Sequence, residues 1–250
     1  MAVILENTLF AENTYRMVVN MGDKPDLGTC GQFYMLRTSE TSDPLLARPI
    51  SIYDTDEEKR TVTFIYVVVG RGTELMSKMH VGDDIALFGP LGKAFPLLDE
   101  DITLIGGGIG AAPLYLLAKK HKELFPKRHI TMNIGFSNEK SVALVDEFKS
   151  LCDEVIMNVG GYVTDDVDFT KNRIFYACGT EPMMEAACRL ALNNKKKLYI
   201  SLDKNMACGV GACLVCTCKI KDGTKKRACK DGPVFDAEEV FDTERGHFYE

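Results

Sequence analysis

Hydrophobic and polar residues alternate in the first part of the chain, in the pattern that half-buried strands produce. Alternation over Tyr15–Met21, an apolar run at Thr61–Val69 and a shorter one at Ile85–Phe88 predict strands, which Gly, Pro and Asp turns separate. A small antiparallel barrel is the economical assembly of such strands. One helix is predicted within it at about Glu74–Met79, with Thr73 as its N-cap.

The pattern changes at about residue 102, where short apolar runs begin to alternate with segments of helical periodicity. Strands are predicted at 102–105, 130–136, 154–158, 173–177 and 198–201, and helices at 113–122, 142–151 and 182–193. This alternation predicts a doubly wound, Rossmann-like α/β domain with a parallel sheet. The remaining residues are rich in Cys and Gly and are too few for a core of their own. We therefore predict three units: an antiparallel β-barrel at 1–97, a nucleotide-binding α/β domain at 98–201 and a small module at 202–250.

Composition and charge are typical of a soluble globular protein. The 250 residues are 46% hydrophobic and 26% charged, and no apolar stretch reaches the ~18 residues that a membrane-spanning helix needs. A net charge of −6 gives no basic face for nucleic acid, and the run Lys195-Lys196-Lys197 is most simply a solvated turn before a strand. The start of the chain does not resemble a signal peptide, and the nine cysteines lack a disulfide framework spacing. We expect a cytoplasmic protein that binds neither membrane nor nucleic acid.

A group of cysteines late in the chain gives the strongest chemical signal. Its members are Cys208, Cys213, Cys216 and Cys229. The spacing is C-x4-C-x2-C followed by a gap of twelve residues, which suits a [2Fe–2S] cluster because two irons need four thiolates. Gly209 and Gly211 would let backbone N–H groups turn toward the sulfurs. A structural zinc site and ordinary core thiols are the weaker alternatives. Cys218 could replace Cys216 as a ligand, although a buried thiol is the expected role.

Two short motifs in the barrel indicate a flavin dinucleotide. Arg48 and Ser51 lie three residues apart on a predicted strand, where they could address a phosphate and a flavin edge. The sequence Gly70-Arg71-Gly72-Thr73 enters a helix, and a helix N-terminus exposes unpaired N–H groups that can hold a pyrophosphate. Each motif alone could be ordinary: a surface strand residue with an edge hydroxyl, or a glycine turn. Together they favour FAD.

The α/β domain carries a nucleotide fingerprint in the required strand–turn–helix context. The predicted strand at 102–105 runs into Gly106-Gly107-Gly108-Ile109-Gly110-Ala111-Ala112-Pro113, which matches G-x-G-x-x-A. The loop Cys178-Gly179-Thr180-Glu181-Pro182-Met183 falls at the carboxyl edge of the same sheet, where ligands bind, unless it is an ordinary strand–helix connection. Glu139 is the nearest acidic candidate for a ribose contact. No arginine is present there to bind a 2′-phosphate, so NAD is favoured over NADP, although Lys140 could bind that phosphate in part. Gly89-Pro90-Leu91-Gly92, at the seam between the domains, is most simply a turn, although it could also supply the flat backbone surface that a flavin or nicotinamide ring needs close by.

These motifs, in this order, resemble those of the ferredoxin–NADP reductase family over residues 1–200. With the cysteine module appended, the chain resembles one branch of that family, the electron-transfer subunits of NAD-dependent, type 1B dihydroorotate dehydrogenases. The resemblance implies FAD bound by Arg48, Pro49, Ile50, Ser51, Ile65, Tyr66, Val67, Gly72 and Thr73. It implies a [2Fe–2S] cluster on the four cysteines, and NAD at Gly106, Gly107, Gly108, Gly110, Cys178, Gly179 and Thr180. Ile50 departs from the aromatic residue found in many members, and Lys93-Ala94 departs from the expected Asn-Gly.

The resemblance also implies a partner. The residues agree with this, because the sequence shows no convincing nucleophile–base pair and its four histidines are scattered. That partner would be a catalytic subunit carrying FMN, in a heterotetramer with two copies of each chain. Electrons would pass from dihydroorotate through FMN, cluster and FAD to NAD⁺, in pyrimidine biosynthesis. Two alternatives remain: a reductase serving another acceptor, such as a sulfite reductase, hydrogenase or ferredoxin, and a non-enzymatic nucleotide-sensing or zinc-binding module.

Overall fold

The computed structural model describes residues 2–38 and 43–249. The outer limits of the predicted units, at residues 1 and 250, lie outside the described residues. The described chain forms a closed barrel, a six-stranded sheet and two short two-stranded sheets. Within it, no helix is long and apolar enough to cross a membrane.

The barrel is built from six antiparallel strands. They are β1 (Ala2–Ala11), β2 (Thr14–Asn20), β3 (Phe33–Arg37), β4 (Arg48–Asp56), β5 (Thr61–Val67) and β6 (Asp84–Leu91), with α1 (Arg71–Ser77) between β5 and β6. Around the barrel the order is β1-β2-β5-β4-β3-β6. The predicted barrel is confirmed. Six of the seven residues of β5 are buried, which explains why its sequence is an apolar run and not an alternation.

The turn predicted at Gly89–Gly92 is wrong for most of its length. Gly89, Pro90 and Leu91 form the end of β6. Between the pairs Phe33–Leu91 and Met35–Phe88, β6 has one residue more than β3. A bulge of this kind accommodates a Gly-Pro sequence inside a strand, because the extra residue does not take part in the ladder.

A parallel sheet with crossover helices follows the barrel. Its strands are β7 (Ile102–Gly107), β8 (Ile130–Phe136), β9 (Glu154–Val159), β10 (Ile174–Cys178) and β11 (Lys197–Ser201), and its helices are α2 (Ala112–Leu124), α3 (Val145–Lys149) and α4 (Glu181–Asn193). The predicted doubly wound α/β domain is confirmed. The third helix is shorter than the predicted 142–151, because Leu144 adopts a left-handed backbone conformation with φ 66° immediately before it.

The C-terminal residues add to both earlier units. Their elements are β12 (Thr217–Lys219), β13 (Lys225–Arg227), α5 (Ala228–Asp231), β14 (Val234–Asp236), α6 (Ala237–Val240), β15 (Phe241–Asp242) and β16 (His247–Phe248). Strand β14 pairs antiparallel with β11, which completes a sheet in the order β14-β11-β10-β7-β8-β9. Phe235 and Phe241 share a core with Leu198. The module therefore buries apolar surface against the α/β sheet instead of forming an independent core.

Aromatic and ionic contacts join the barrel to the α/β domain. Tyr53 of β4 stacks on Tyr115 of α2 with ring centroids 4.4 Å apart. Next to this pair, Lys119 Nζ lies 2.7 Å from Asp54 Oδ1. Tyr176 donates a hydrogen bond of 2.6 Å to the carbonyl of Pro96, in the segment between the two units. These contacts fix the orientation of the α/β domain against β4.

Candidate functional site

The two predicted flavin motifs meet in space. Arg48 begins β4, and Gly72 lies in the first turn of α1. A Cβ atom on Gly72 would overlap the guanidinium group of Arg48 in its present position, so a larger residue there would displace this side chain. Arg48 also donates a hydrogen bond to the carbonyl of Leu46. The result is a cationic corner at the start of a helix, which suits an anionic group.

Helix α1 begins earlier than predicted, and Thr73 is not its N-cap. The N-cap is Gly70, in an extended conformation, and Thr73 occupies the third helical position. The Thr73 hydroxyl accepts hydrogen bonds from the backbone N–H groups of Val69 at 3.0 Å and Gly70 at 3.3 Å. Arg71 forms an ion pair with Asp43, with 2.6 Å between Nη2 and Oδ2. Thr73 therefore lies within the first turn of the helix, where its side chain bonds the backbone just before the helix.

Strands β4 and β5 separate where the remaining flavin residues lie. Their pairing runs from Ile52 with Phe64 to Asp56 with Thr61. Beyond it, Arg48–Ser51 pairs with β3, whereas Ile65–Val67 pairs with β2. The two segments named in the resemblance thus face each other across a slot in the barrel wall. The Tyr66 side chain does not enter the slot freely, because its hydroxyl donates to Asn7 and its ring stacks on Tyr15.

The glycine turn and the Cys178 loop lie in direct backbone contact. A Cβ on Gly110 would be 2.6 Å from Gly179 Cα, and one on Gly107 would be 2.7 Å from Met183 Sδ and 3.5 Å from Gly179 Cα. Gly106 pairs with Cys178 across β7 and β10. This is where the strand order of the sheet reverses, the usual ligand crevice of open α/β sheets. Sequence reasoning placed both loops correctly at this edge.

Cys178 has neighbours that the sequence analysis missed. Its thiol hydrogen-bonds Ser201, the last residue of β11, and burial followed by the nearby Asp203 carboxylate raises its pKa to about 12. The thiol is therefore neutral at physiological pH. Ser201 and Asp203 could have been identified as candidates, because β11 also ends at the carboxyl edge of the sheet.

The four cysteines of the C-terminal module form two pairs. The backbone N–H of Cys213 donates to Cys208 Sγ at 3.4 Å, and that of Cys229 donates to Cys216 Sγ at 3.4 Å. N–H groups of Cys213 and Val210 lower the pKa of Cys208 to about 6. Burial and the adjacent Cys216 raise that of Cys229 to about 12. Backbone donors thus point at the sulfur atoms, as they do around iron–sulfur clusters.

The four thiols suit a [2Fe–2S] cluster by their chemistry. All four ligand candidates are cysteines, and Cys208 and Cys216 each accept a backbone N–H hydrogen bond of 3.4 Å. A zinc site would hold its four ligands around one centre, whereas a [2Fe–2S] cluster needs two thiolates on each iron. The donor set therefore fits the cluster. Cys218 points elsewhere: it is buried in a core that includes Phe235, and its Sγ lies 3.6 Å from the carbonyl of Lys226.

The cysteine pairs pack against the barrel. Cys216 and Cys229 share a small buried core with Phe33 and Met35 of β3. Strand β3 is also the partner of the Arg48–Ser51 segment. The candidate cluster site and the candidate flavin site therefore lie on neighbouring strands.

Comparisons with known proteins agree with this arrangement. Residues 203–241 match the family model described as the iron-sulfur cluster binding domain of dihydroorotate dehydrogenase B. The chain is 42% identical over 212 residues to the dihydroorotate dehydrogenase B (NAD(+)) electron transfer subunit of Clostridium acetobutylicum, covering 82% of this chain and 83% of that protein. The subunit of the same name from Clostridium perfringens is 39% identical over 246 residues, covering 95% and 96%.

Solved structures show the same fold. The structure of an NADH-dependent reduced ferredoxin–NADP oxidoreductase matches with a TM-score of 0.85 and 29% identity, over 98% of this chain and 91% of that chain. A ferredoxin reductase of carbazole 1,9a-dioxygenase, at 20% identity and a TM-score of 0.67, covers 78% of this chain and 65% of that chain. The family resemblance expected from the sequence is confirmed. The chain belongs to the family of electron transfer subunits of dihydroorotate dehydrogenase B (NAD(+)).

Proposed function

We propose that this chain passes electrons between NAD and a partner subunit that oxidises dihydroorotate to orotate, through FAD and a [2Fe–2S] cluster. One observation carries the proposal: the three candidate sites follow consecutive strands of the barrel wall. The turn Gly108–Ala111 contacts β5, the Arg48–Ser51 segment belongs to β4, and the cysteine pairs pack on β3. A flavin at β4 would lie between the other two cofactors.

The cysteines provide the cluster site. Cys208, Cys213, Cys216 and Cys229 would hold the cluster, and the contacts Cys213–Cys208 and Cys229–Cys216 support this set. Their backbone N–H groups would stabilise the negative charge of the sulfur atoms. A nicotinamide exchanges two electrons at once, a [2Fe–2S] cluster exchanges one at a time, and FAD can do both. The protein fixes their order.

The barrel slot provides the FAD site. Arg48 would pair with a phosphate oxygen, since guanidinium groups bind phosphate with two parallel hydrogen bonds. Gly72 leaves space for that side chain, and Thr73 holds the first turn of α1 in place. The backbone of Pro49–Ser51 and Ile65–Val67 would contact the flavin across the slot, because these segments do not pair with each other. Ile50 would not stack on the ring as an aromatic residue does.

The crevice between β7 and β10 provides the NAD site. At Gly108 an added Cβ would meet nothing within 4 Å, so the nucleotide can approach the backbone there, whereas Gly106 lets β7 pass close to Ala111 and Gly110 lets the turn pack on the Cys178 loop. The loop Cys178–Thr180 covers the other side of the crevice. We propose that the neutral Cys178 thiol contacts the nicotinamide without exchanging a proton.

The surface around the cysteines is suited to a protein partner. Val210, Leu214 and Val215 are 44%, 61% and 55% exposed, and Cys213 beside them is exposed. Exposed apolar side chains next to a redox centre are expected where a partner subunit covers them. We propose a catalytic subunit with FMN at this surface, in a heterotetramer of two copies of each chain. A cytoplasmic location fits the nine free cysteines.

An optical spectrum and a reconstitution test the proposal. Protein purified without oxygen should be yellow-brown and contain iron, labile sulfide and FAD. Alone it should reduce artificial acceptors with NADH but leave dihydroorotate unchanged, and the catalytic subunit should restore dihydroorotate oxidation coupled to NAD⁺. Colourless protein containing zinc, or oxidation of dihydroorotate by the isolated chain, would refute the proposal.

A reductase for a different acceptor is the second candidate. It is favoured by the likeness to the NADH-dependent reduced ferredoxin–NADP oxidoreductase, which extends over nearly the whole chain. Co-purification distinguishes the two candidates. An FMN-containing α/β-barrel protein as the retained partner supports the first, whereas a ferredoxin or another reductase subunit supports the second.

A further inference from the structure

The cysteine loop approaches the barrel through one glycine. Gly209 follows the first cysteine and has φ +71°. A Cβ at this position would lie 2.9 Å from Met35 Cγ and 3.0 Å from Leu91 Cδ1. Both distances are shorter than ordinary carbon–carbon contacts of ~3.5–4.0 Å. The loop backbone therefore rests on the side chains of Met35 in β3 and Leu91 in β6, and a Cβ at this position would press the loop away from them.

Met35 connects this contact to the flavin strand. It is 3% exposed, and it pairs with Pro49 across β3 and β4. A single residue thus separates the cysteine loop from the segment that carries Arg48 and Ser51. Among the glycines of residues 202–249, Gly209 is the one at which an added Cβ would come closest to β3.

A second glycine holds the other end of the module. Gly92 has φ +78°, and a Cβ there would lie 2.6 Å from Pro233 Cδ. Beside it, the backbone N–H of Lys93 donates to the carbonyl of Gly232 at 2.6 Å. The segment after Cys229 is therefore anchored to the barrel independently. Moving Gly209 would tilt the loop about this anchor instead of releasing the module.

We infer that Gly209 is a positioning residue, whose missing side chain sets the distance between the cysteine loop and the β3–β4 wall. The inference rests on the proposed function, because that distance matters only if electrons cross it. The step concerned moves one electron from reduced FAD to the oxidised cluster, NADH supplies the electrons, and no bond of the protein changes. Electron transfer slows steeply with distance, so the gap controls the rate of this step.

The test compares Gly209→Ala with Gly223→Ala in the complete, cofactor-loaded protein. Gly223 also has positive φ, +81°, but a Cβ there would meet nothing within 4 Å, so it imposes backbone strain without a clash. Iron, sulfide and the electron paramagnetic resonance spectrum of the dithionite-reduced protein establish that each variant holds its cluster. Hydrogen exchange of residues 33–37 then reports the contact, and stopped-flow absorbance with NADH separates flavin reduction from cluster reduction.

In Gly209→Ala we expect faster hydrogen exchange in residues 33–37, unchanged flavin reduction and cluster reduction slowed several-fold, because the clash is relieved by a displacement of less than about 1 Å and electron transfer slows exponentially with distance. Gly223→Ala should behave as wild type. An intact cluster reduced at the wild-type rate in Gly209→Ala would overturn the inference. Wild-type protein whose cluster NADH never reduces would instead overturn the proposed function.

A double variant decides the case in which Gly209→Ala loses its cluster. Met35→Ala removes the closest clashing group, so Gly209→Ala/Met35→Ala should regain the cluster, with cluster reduction as fast as in Met35→Ala alone. A regained cluster that is still reduced slowly, or a cluster that is not regained, would contradict a positioning role for Gly209.

Discussion

Replacing Gly110 by alanine should weaken nucleotide binding without disturbing the flavin. The added Cβ would lie 2.6 Å from Gly179 Cα, 2.9 Å from Gly179 N and 3.0 Å from the carbonyl of Cys178. All three atoms belong to the backbone, so no side-chain rotation relieves the clash. The closest contact is about 1 Å short of the optimal carbon–carbon separation. The glycine turn and the Cys178 loop must therefore move apart, which opens the crevice between β7 and β10.

Overpacking of this kind costs about 1–3 kcal/mol. If NADH binds only when the glycine turn and the Cys178 loop close on it, binding must restore the clash, and a cost of this size raises the Kd for NADH about 5- to 150-fold. Gly110 does not have positive φ, so the effect is steric and not due to backbone strain. Titration calorimetry of the FAD-loaded protein with NADH measures it, and the flavin absorbance shows that the barrel is intact.

Gly223→Ala is the matched control for this experiment as well. It lies in the turn between β12 and β13, where a Cβ meets nothing within 4 Å. NADH should bind this variant as it binds the wild type. If Gly110→Ala also bound NADH with a Kd within about twofold of wild type while remaining folded, the nucleotide would not occupy this crevice, and the reasoning from the glycine contacts would fail.

Three further predictions concern other parts of the molecule. Cys213→Ser should lose iron and sulfide but keep FAD, whereas Cys218→Ser should keep all three; retention of two irons per chain by Cys213→Ser would contradict the ligand assignment. Arg48→Met should lose about 1.5–3 kcal/mol of FAD affinity, the value of a hydrogen bond to a charged group, seen as flavin release on dilution; unchanged FAD retention would count against a phosphate contact. His121 is fully buried, its Nε2 lies 3.1 Å from the carbonyl of Leu98, and burial lowers its pKa. The folded protein therefore binds fewer protons than the unfolded chain, so the melting temperature should fall as pH drops below ~6.5, and a pH profile equally steep in His121→Leu would exclude this residue as the cause.

Sequence patterns predicted correctly the elements that depend on interactions between residues close together in the sequence. The buried run of β5 and the strand–turn–helix around Gly106–Ala111 could be identified because each is contained within about twenty residues. The cysteine spacing likewise determines which thiols can meet. The meeting of Arg48 with Gly72 was inferred only from their shared domain, and the structure supplies the steric reason for it.

Long-range contacts account for what the sequence analysis missed. Strand β14 has three residues, too few for a periodic signal, and exists because β11 offers it a free edge. Ser201 becomes a neighbour of Cys178 only when β10 and β11 pair. Threonine is a residue type favoured at N-caps, but the extended backbone of Gly70 allows the helix to start three residues before the predicted position. In each case a distant or backbone interaction outweighs the local preference.

In the proposed arrangement, the fold determines the order of the sites and the outer surface determines which acceptor binds. On the proposed assignment, the nucleotide turn contacts β5 and the cysteine loop rests on β3, so electrons that travel between these two sites would pass the Arg48–Ser51 segment of β4. That order would hold for any acceptor beyond the cluster. Selection of the acceptor would then depend on the exposed residues Val210, Leu214 and Val215, which are not part of the buried core that Cys216 and Cys229 share with β3. Charged replacements there should abolish reduction of the partner and leave reduction of the cluster by NADH intact, because only the outer surface changes.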